Sequence, residues 1–201
     1  MSIKFEITRA PELLEQYFQL RENCYRKELN LPDFDGSEEP SDKVGHILIA
    51  SRKGRCLGGA RIVAANQADI DLVSCTSSIG KVSFRAGKPC LWERLSVAPD
   101  ARCDDLLQFF CGHLVNTSWE LGYDCALMVS SSKNARYYRR FHSRWGVPFE
   151  TLSGTSFQPK GTFAELEHVV SAARLQPLAL SEQVVTQAPP LAVNYQNRLA
   201  A

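Results

Sequence analysis

Long apolar runs are missing from this chain of 201 residues. No stretch approaches the roughly 20 consecutive apolar residues that a membrane-spanning helix needs. A charge excess is missing too: 23 Lys and Arg stand against 22 Asp and Glu, for a net charge of +1. No global field therefore draws the chain to nucleic acid or anionic lipid, and any anion binding has to be local. The 7 cysteines (Cys24, Cys56, Cys75, Cys90, Cys103, Cys111 and Cys125) include no C-x-x-C and no Cys/His pair at zinc-ligand spacing. An odd, scattered set reads as reduced thiols, and no metal is expected. Cys111 and His113 lie two apart in a predicted helix, face different directions and cannot share an ion. The first ten residues carry Glu6 where a signal peptide would be basic and then apolar, so a cytoplasmic location is expected.

What is present is apolar material: 44% hydrophobic residues, with 10 Phe, 6 Tyr and 3 Trp. At this size that suffices to bury about 70% of the unfolded chain's surface, which excludes disorder for most of the chain. We expect one domain over residues 1–170 and an extended or partly disordered tail over 171–201, where Pro177, Pro189 and Pro190 stand among Gln, Val and Ala.

Pro11 and Glu12 read as a helix first turn. Leu13, Leu14, Tyr17, Phe18, Cys24, Tyr25 and Leu29 follow at three-and-four spacing, which predicts a long amphipathic helix. Residues 32–42 are rich in acids, Pro, Gly and Ser and predict a polar loop. Gly45–Ser51 and Cys56–Ala65 are strand-like runs around R-K-G-R, an antiparallel hairpin. A strand follows over C-L-W-E-R-L-S-V and ends at Pro99. Next come a helix capped at Asp104 or Asp105 and stopped by Gly122, a buried strand Cys125–Val129, and a helix Asn134–Trp145 ended by Gly146. Val147–Leu152 and Thr162–Val169 are further strand candidates, with Ala164 to His168 equally readable as helix.

The informative stretch runs from Trp92 to Arg102 (W-E-R-L-S-V-A-P-D-A-R). A helix, Y-D-C-A-L-M-V and N-A-R-Y-Y-R-R-F follow it. The V-x-P-x-x-R spacing, with Asn134 and Tyr138 on the later helix, resembles the GNAT acyltransferase superfamily over about residues 40–150. The resemblance implies an α+β, GNAT-like three-layer sandwich: a mixed twisted sheet with helices on both faces, and a cleft where strands splay after Val97. It also implies that Arg102 and Asn134 help to bind an acyl thioester. The superfamily's diphosphate loop continues from the Arg with glycines, whereas Asp105 and Leu107 stand there in this chain, adding charge and bulk. That points to a donor without adenosine diphosphate, an acyl group on the phosphopantetheine arm of acyl carrier protein, in preference to acyl-CoA. Leu20–Tyr25 (L-R-E-N-C-Y), Asp42 to His46, Arg61 in G-G-A-R-I and R-W-G-V-P-F-E are similar to the branch of acyl-homoserine-lactone synthases and N-acyl amino acid synthases. The Trp of that branch is missing after Leu29, and its E-x-S-R is replaced by E-R-L-S at Glu93–Ser96. Both differences point away from homoserine lactone as the product.

The expected reaction moves a fatty acyl group from the thioester to a small amine such as an amino acid. Glu93 is read either as the base or as the salt-bridge partner of a neighbouring Arg, and backbone N–H groups over Leu95–Val97 would hold the thioester carbonyl. Tyr138 matches the superfamily tyrosine that protonates the leaving thiolate, and it and the adjacent Tyr137 read equally as core residues. Strand alternation puts Glu93, Leu95 and Val97 on one face and Trp92, Arg94 and Ser96 on the other. Arg21 falls inside its helix's apolar stripe. It is read either as aimed into the cleft, at a substrate carboxylate or an acidic-loop partner, or as snorkelling to the edge. Asp42 and Arg61 join it as acceptor or structural cleft residues. Arg136, Arg140 and Arg144 form a basic stripe that suits an acidic carrier protein and equally reads as a solvated face. A covalent route through Cys103 at a helix N-terminus, a base role for His46, a CoA-dependent acetyltransferase and a catalytically silent binding domain are the alternatives.

Overall fold

A two-residue connection lies in the R-K-G-R insert, where Lys53 and Gly54 take φ of 53° and 74°. Two consecutive left-handed residues match the twist of the flanking strands and close them directly into a hairpin. The computed structural model describes residues 2–66, 87–152, 161–166 and 168–180. Among these residues seven strands form one sheet: β1 (Lys4–Ile7), β2 (His46–Arg52), β3 (Arg55–Ala64), β4 (Pro89–Val97), β5 (Cys125–Ser130), β6 (Phe149–Thr151) and β7 (Val169–Arg174). Their order is β1-β2-β3-β4-β5-β7-β6, antiparallel at every pair except β4 with β5. The helices are α1 (Pro11–Glu28), α2 (Pro40–Val44), α3 (Asp104–Glu120) and α4 (Ser132–Arg144).

Two-residue alternation divides the core into layers. On β2, Ile47 and Ile49 pack with Tyr17 of α1, while Leu48 and Ala50 face the opposite cluster built from Phe110 and Leu114 of α3 and Phe141 of α4. On β5, Ala126 and Met128 join that second cluster, and Cys125 and Leu127 pack with Val170 and Ala172 of β7. Helices cover both faces, as expected of a three-layer α+β sandwich. Among the described residues no helix is long and apolar enough to cross a membrane.

The strand–helix–strand–helix order from β4 to α4 agrees with the sequence. Elsewhere the structure differs. β1 was not anticipated, because four residues are too few for periodicity to register. Part of the predicted acidic loop is α2, and its Asp42 is fully buried. Gly161–Phe163 is a 3-10 turn where the strand Thr162–Val169 was expected to begin, and the strand beyond it starts only at Val169. β7 carries the sheet through Arg174, past the expected boundary at residue 170. Beyond it the chain stays docked: the Leu175 amide donates to Asp124 O (2.9 Å) and the Leu178 amide to Asn116 Oδ1 (3.2 Å). Residues 181–201 of the expected tail lie outside the described residues.

Candidate active site

β4 and β5 pair only over Pro89–Trp92 and Cys125–Met128. Beyond those residues the strands no longer pair, and the sheet opens four residues before the end of β4. The splay expected after Val97 thus begins at Glu93. The cause is local: Arg94 sits at φ 57°, and both it and Leu95 lack a register partner on β3, where Arg61 opposes Glu93 and Gly59 opposes Ser96. This is a β-bulge, which bends the strand and re-aims its side chains. A non-glycine residue in that conformation costs free energy and persists only where its surroundings hold it. Here the fully buried Tyr17 donates its phenol to Arg94 O at 2.8 Å. Gly59 makes room for the Tyr17 ring, since a Cβ there would lie 2.4 Å from it.

The bulge overturns the expected separation of Glu93 from Arg94. Both enter one network of three guanidinium groups and three carboxylates. Arg61 donates Nε (3.0 Å) and Nη2 (2.7 Å) to Glu93 Oε2, and Nη1 to Glu39 Oε2 (2.6 Å) and Asp42 Oδ1 (3.0 Å). Arg94 meets Glu39 Oε1 through Nε (3.1 Å) and Nη2 (3.0 Å). Arg21 donates Nη1 to both Asp42 oxygens (3.2 and 3.0 Å), and its other nitrogens go to the carbonyls of Gly36 and Ser37. Of the sequence alternatives for Arg21, the structure selects pairing with the acidic segment: its side chain is sealed at 0% exposure and reaches no cleft.

Burial opposes ionisation of Asp42. The Glu39 amide and the charges of Arg21 and Arg61 outweigh it and hold the carboxyl below its usual range. Glu39 is likewise penalised by burial but lowered on balance by Arg94 and Arg61. Glu93 keeps a third of its side chain exposed, and among the described residues its Oε1 has no partner.

Across the opening stands α4. Its N-terminus is capped by Ser131, whose hydroxyl accepts from the Asn134 amide (3.2 Å). Among the described residues the buried Asn134 Oδ1 has no hydrogen-bond partner, and it can accept from a donor outside the chain. Tyr138 is buried, which pushes its phenol up and keeps it protonated; Cys111, Tyr25 and Arg102 are among the groups that it senses electrostatically.

Arg102 is turned inward, contrary to a direct thioester contact. It donates Nε to Val97 O (2.9 Å) and Nη2 to Glu28 Oε1 (2.5 Å), tying the end of β4 to α1. Leu107 fills the core and adds no bulk at the helix mouth, where Asp105 remains exposed. Cys103 is the N-cap of α3, its sulfur accepting from the Leu106 amide (3.4 Å). The ring of His113 stacks on Phe5, and that of His142 lies between Trp92 and Phe149, so both are engaged in packing away from Cys103. On α4, Arg136, Arg140 and Arg144 are all exposed, with Arg144 held to Gln108 Oε1 at 2.8 Å.

Sequence reasoning missed Glu39, although Glu-Pro-Ser-Asp is a legible helix start: Pro at the first helical position and an acid at the third, whose carboxylate accepts from the Glu39 amide (2.7 Å). It also missed the rings around Arg94, with Phe163 at 4.8 Å, Phe34 at 5.8 Å and Tyr25 at 5.9 Å from its guanidinium carbon. No local pattern joins residues so far apart in the chain. A groove of about 550 Å³ on the outer side of α1, lined by Leu14, Phe18, Glu22 and Gly36 among others, does not include Glu93 or Tyr138.

No protein-family model and no curated protein matches this chain. Solved structures do. The fold is similar to that of a CoA-dependent acyl-homoserine lactone synthase, BjaI, solved with SAM and isopentyl-CoA (TM-score 0.60, 17% identity, covering 87% of this chain and 83% of that one). It is similar to the AHL synthase LasI (TM-score 0.59, 14% identity, 88% and 92% covered). It is also similar to an acetyltransferase of the GNAT family from Staphylococcus aureus Mu50 (TM-score 0.56, 13% identity, 87% and 100% covered). The chain has a GNAT-like fold.

Proposed function

We propose that this protein is an N-acyltransferase that moves a fatty acyl group from a thioester, on acyl carrier protein in preference to CoA, to the amine of a small acceptor such as an amino acid. The observation that carries this reading is the opening between β4 and β5, with an unpartnered carboxylate oxygen of Glu93 on one strand and the protonated Tyr138 on the helix that follows the other.

Glu93 Oε1 takes a proton from the acceptor's ammonium, freeing the nitrogen lone pair to attack the thioester carbonyl carbon. The developing oxyanion is met by backbone N–H groups of the bulged segment at Leu95 to Val97. As the C–N bond forms and the C–S bond breaks, Tyr138 protonates the departing sulfur and recovers a proton from the nitrogen of the collapsing intermediate. Asn134 Oδ1 accepts from an amide of the donor's arm. Asp105 at the mouth of α3 and the internal use of Arg102 disfavour a diphosphate, which supports the carrier-protein donor, and the exposed arginines of α4 offer it a docking face. The description of BjaI as CoA-dependent supports acyl-CoA as the second reading.

Mass spectrometry of lipid extracts from cells expressing the protein, beside cells expressing Glu93→Ala or Tyr138→Phe, tests the reaction. N-acylated amines present only with the parent protein are expected, with turnover by purified Tyr138→Phe falling about 100-fold. Undiminished turnover by Tyr138→Phe would remove the acid assignment, and absence of any acyl amide from folded, abundant protein would remove the enzyme reading. Titration with acyl carrier protein and with acyl-CoA separates the donors.

A further inference from the structure

The three guanidinium groups of the network are not equivalent. Arg21 and Arg61 are sealed, at 0% and 2% side-chain exposure, and each spends Nε and both terminal nitrogens on carboxylates or carbonyls. Arg94 is 21% exposed and gives Nε and Nη2 to one carboxylate, Glu39. The faces of Tyr25, Phe34 and Phe163 hold it in place. Aromatic faces hold a guanidinium without consuming its hydrogen-bond donors. Arg94 is thus oriented by its surroundings, remains partly exposed and keeps donor capacity to spare. Its neighbour on the bulged strand is Glu93, whose Oε1 has no partner among the described residues.

A donor and an acceptor set side by side, in a network where three positive and three negative side chains balance, favour a ligand that carries both charges. A lone amine would add net charge to a partly buried site, whereas a zwitterion adds none. Resting on the acyl-transfer reading above, we infer that Arg94 is the specificity residue that binds the acceptor's α-carboxylate while Glu93 receives its ammonium, so that the acceptor class is free α-amino acids. This role, one of two sequence readings of Arg21, passes to Arg94 because Asp42 has sealed Arg21 away.

The test uses the full-length protein, octanoyl-acyl carrier protein or octanoyl-CoA, and three matched panels: free amino acids, their carboxamides and their decarboxylated amines. The parent protein is expected to favour the carboxylate over the matched carboxamide by about 100-fold or more in kcat/KM, as a site built around a specific polar contact rejects the analogue that lacks it. Arg94→Gln should collapse that ratio to within about fivefold, chiefly through KM, and Arg94→Lys should restore part of it. A purely structural role would lower turnover of both acceptors together and leave the ratio intact, which would overturn the proposal. Equal use of acid and carboxamide by the parent protein would also overturn it, with no variant needed, and would leave acyl transfer standing. Acylation of no amine at all would overturn both readings.

Discussion

Arg21 and Asp42 meet as a fully buried ion pair, with Nη1 to Oδ2 at 3.0 Å and neither side chain exposed. The pair joins α1 to α2, and through Asp42 Oδ1 it reaches Arg61 on β3. The helix that covers one face of the sheet and the segment that closes the site are therefore held by the same carboxylate.

Removing that carboxylate's charge leaves two buried guanidinium groups short of a partner. Asp42→Asn is expected to lose about 3–5 kcal/mol of stability in urea unfolding. Combining it with Arg21→Met should lose less than the two single changes added together, because each already breaks the same contact. The acid side of the stability profile follows the same logic. The folded-state pKa of Asp42 lies below its unfolded value. Its contribution is present above the unfolded value and disappears as pH falls through the folded one.

The bulge depends on a missing side chain. Gly59→Ala would set a methyl group 2.4 Å from Cδ2 and 2.6 Å from Cε2 of the Tyr17 ring. The ring is fully buried and anchors Arg94 O. A cost of about 1–3 kcal/mol is expected by thermal unfolding. Activity at a temperature where the variant remains folded should fall too, because Arg94 and Glu93 move with the bulge.

His142 supplies a pH dependence of opposite origin. It is fully buried, its Nδ1 is bonded to Tyr138 O (2.8 Å), its Nε2 has no partner among the described residues, and burial pushes its pKa down to about 4. The unfolded histidine, at about 6.5, takes up a proton first as pH falls, so this residue lowers stability progressively between about pH 6.5 and 4. His142→Phe should stack between Trp92 and Phe149 and flatten that part of the profile by about 1.4 kcal/mol per pH unit. An unchanged slope in chemical denaturation would show that His142 does not stay neutral in the native state.

The basic stripe of α4 is testable separately from the chemistry. Arg136→Glu with Arg140→Glu should raise KM for acyl carrier protein about tenfold or more at low ionic strength, with the difference shrinking as salt is added. KM for a small thioester donor should not move. Equal effects on both donors would make the stripe a solvated face.

Periodicity and punctuation alone determined α1, the β2–β3 hairpin and the alternation from β4 to α4. In each, the signal lies within one turn or one strand: three-and-four spacing from Leu13, Lys53-Gly54 between two apolar runs, Gly122 and Gly146 at helix ends. The candidate site residues Glu93, Tyr138, Arg61 and Asp42 were legible through the resemblance of their flanking motifs to the GNAT superfamily, not through periodicity. Tertiary structure decided which of them share a space. Alternation predicts Glu93 and Arg94 on opposite faces, and the bulge brings them together because Tyr17 and Gly59, far away in sequence, stabilise a left-handed Arg94. Arg102 reads as a ligand contact until Glu28 and the Val97 carbonyl engage it from within. Arg21 reads as open until Asp42 seals it. A charged side chain's role depends on which partner desolvates it, and that partner is chosen by packing between elements distant in the chain.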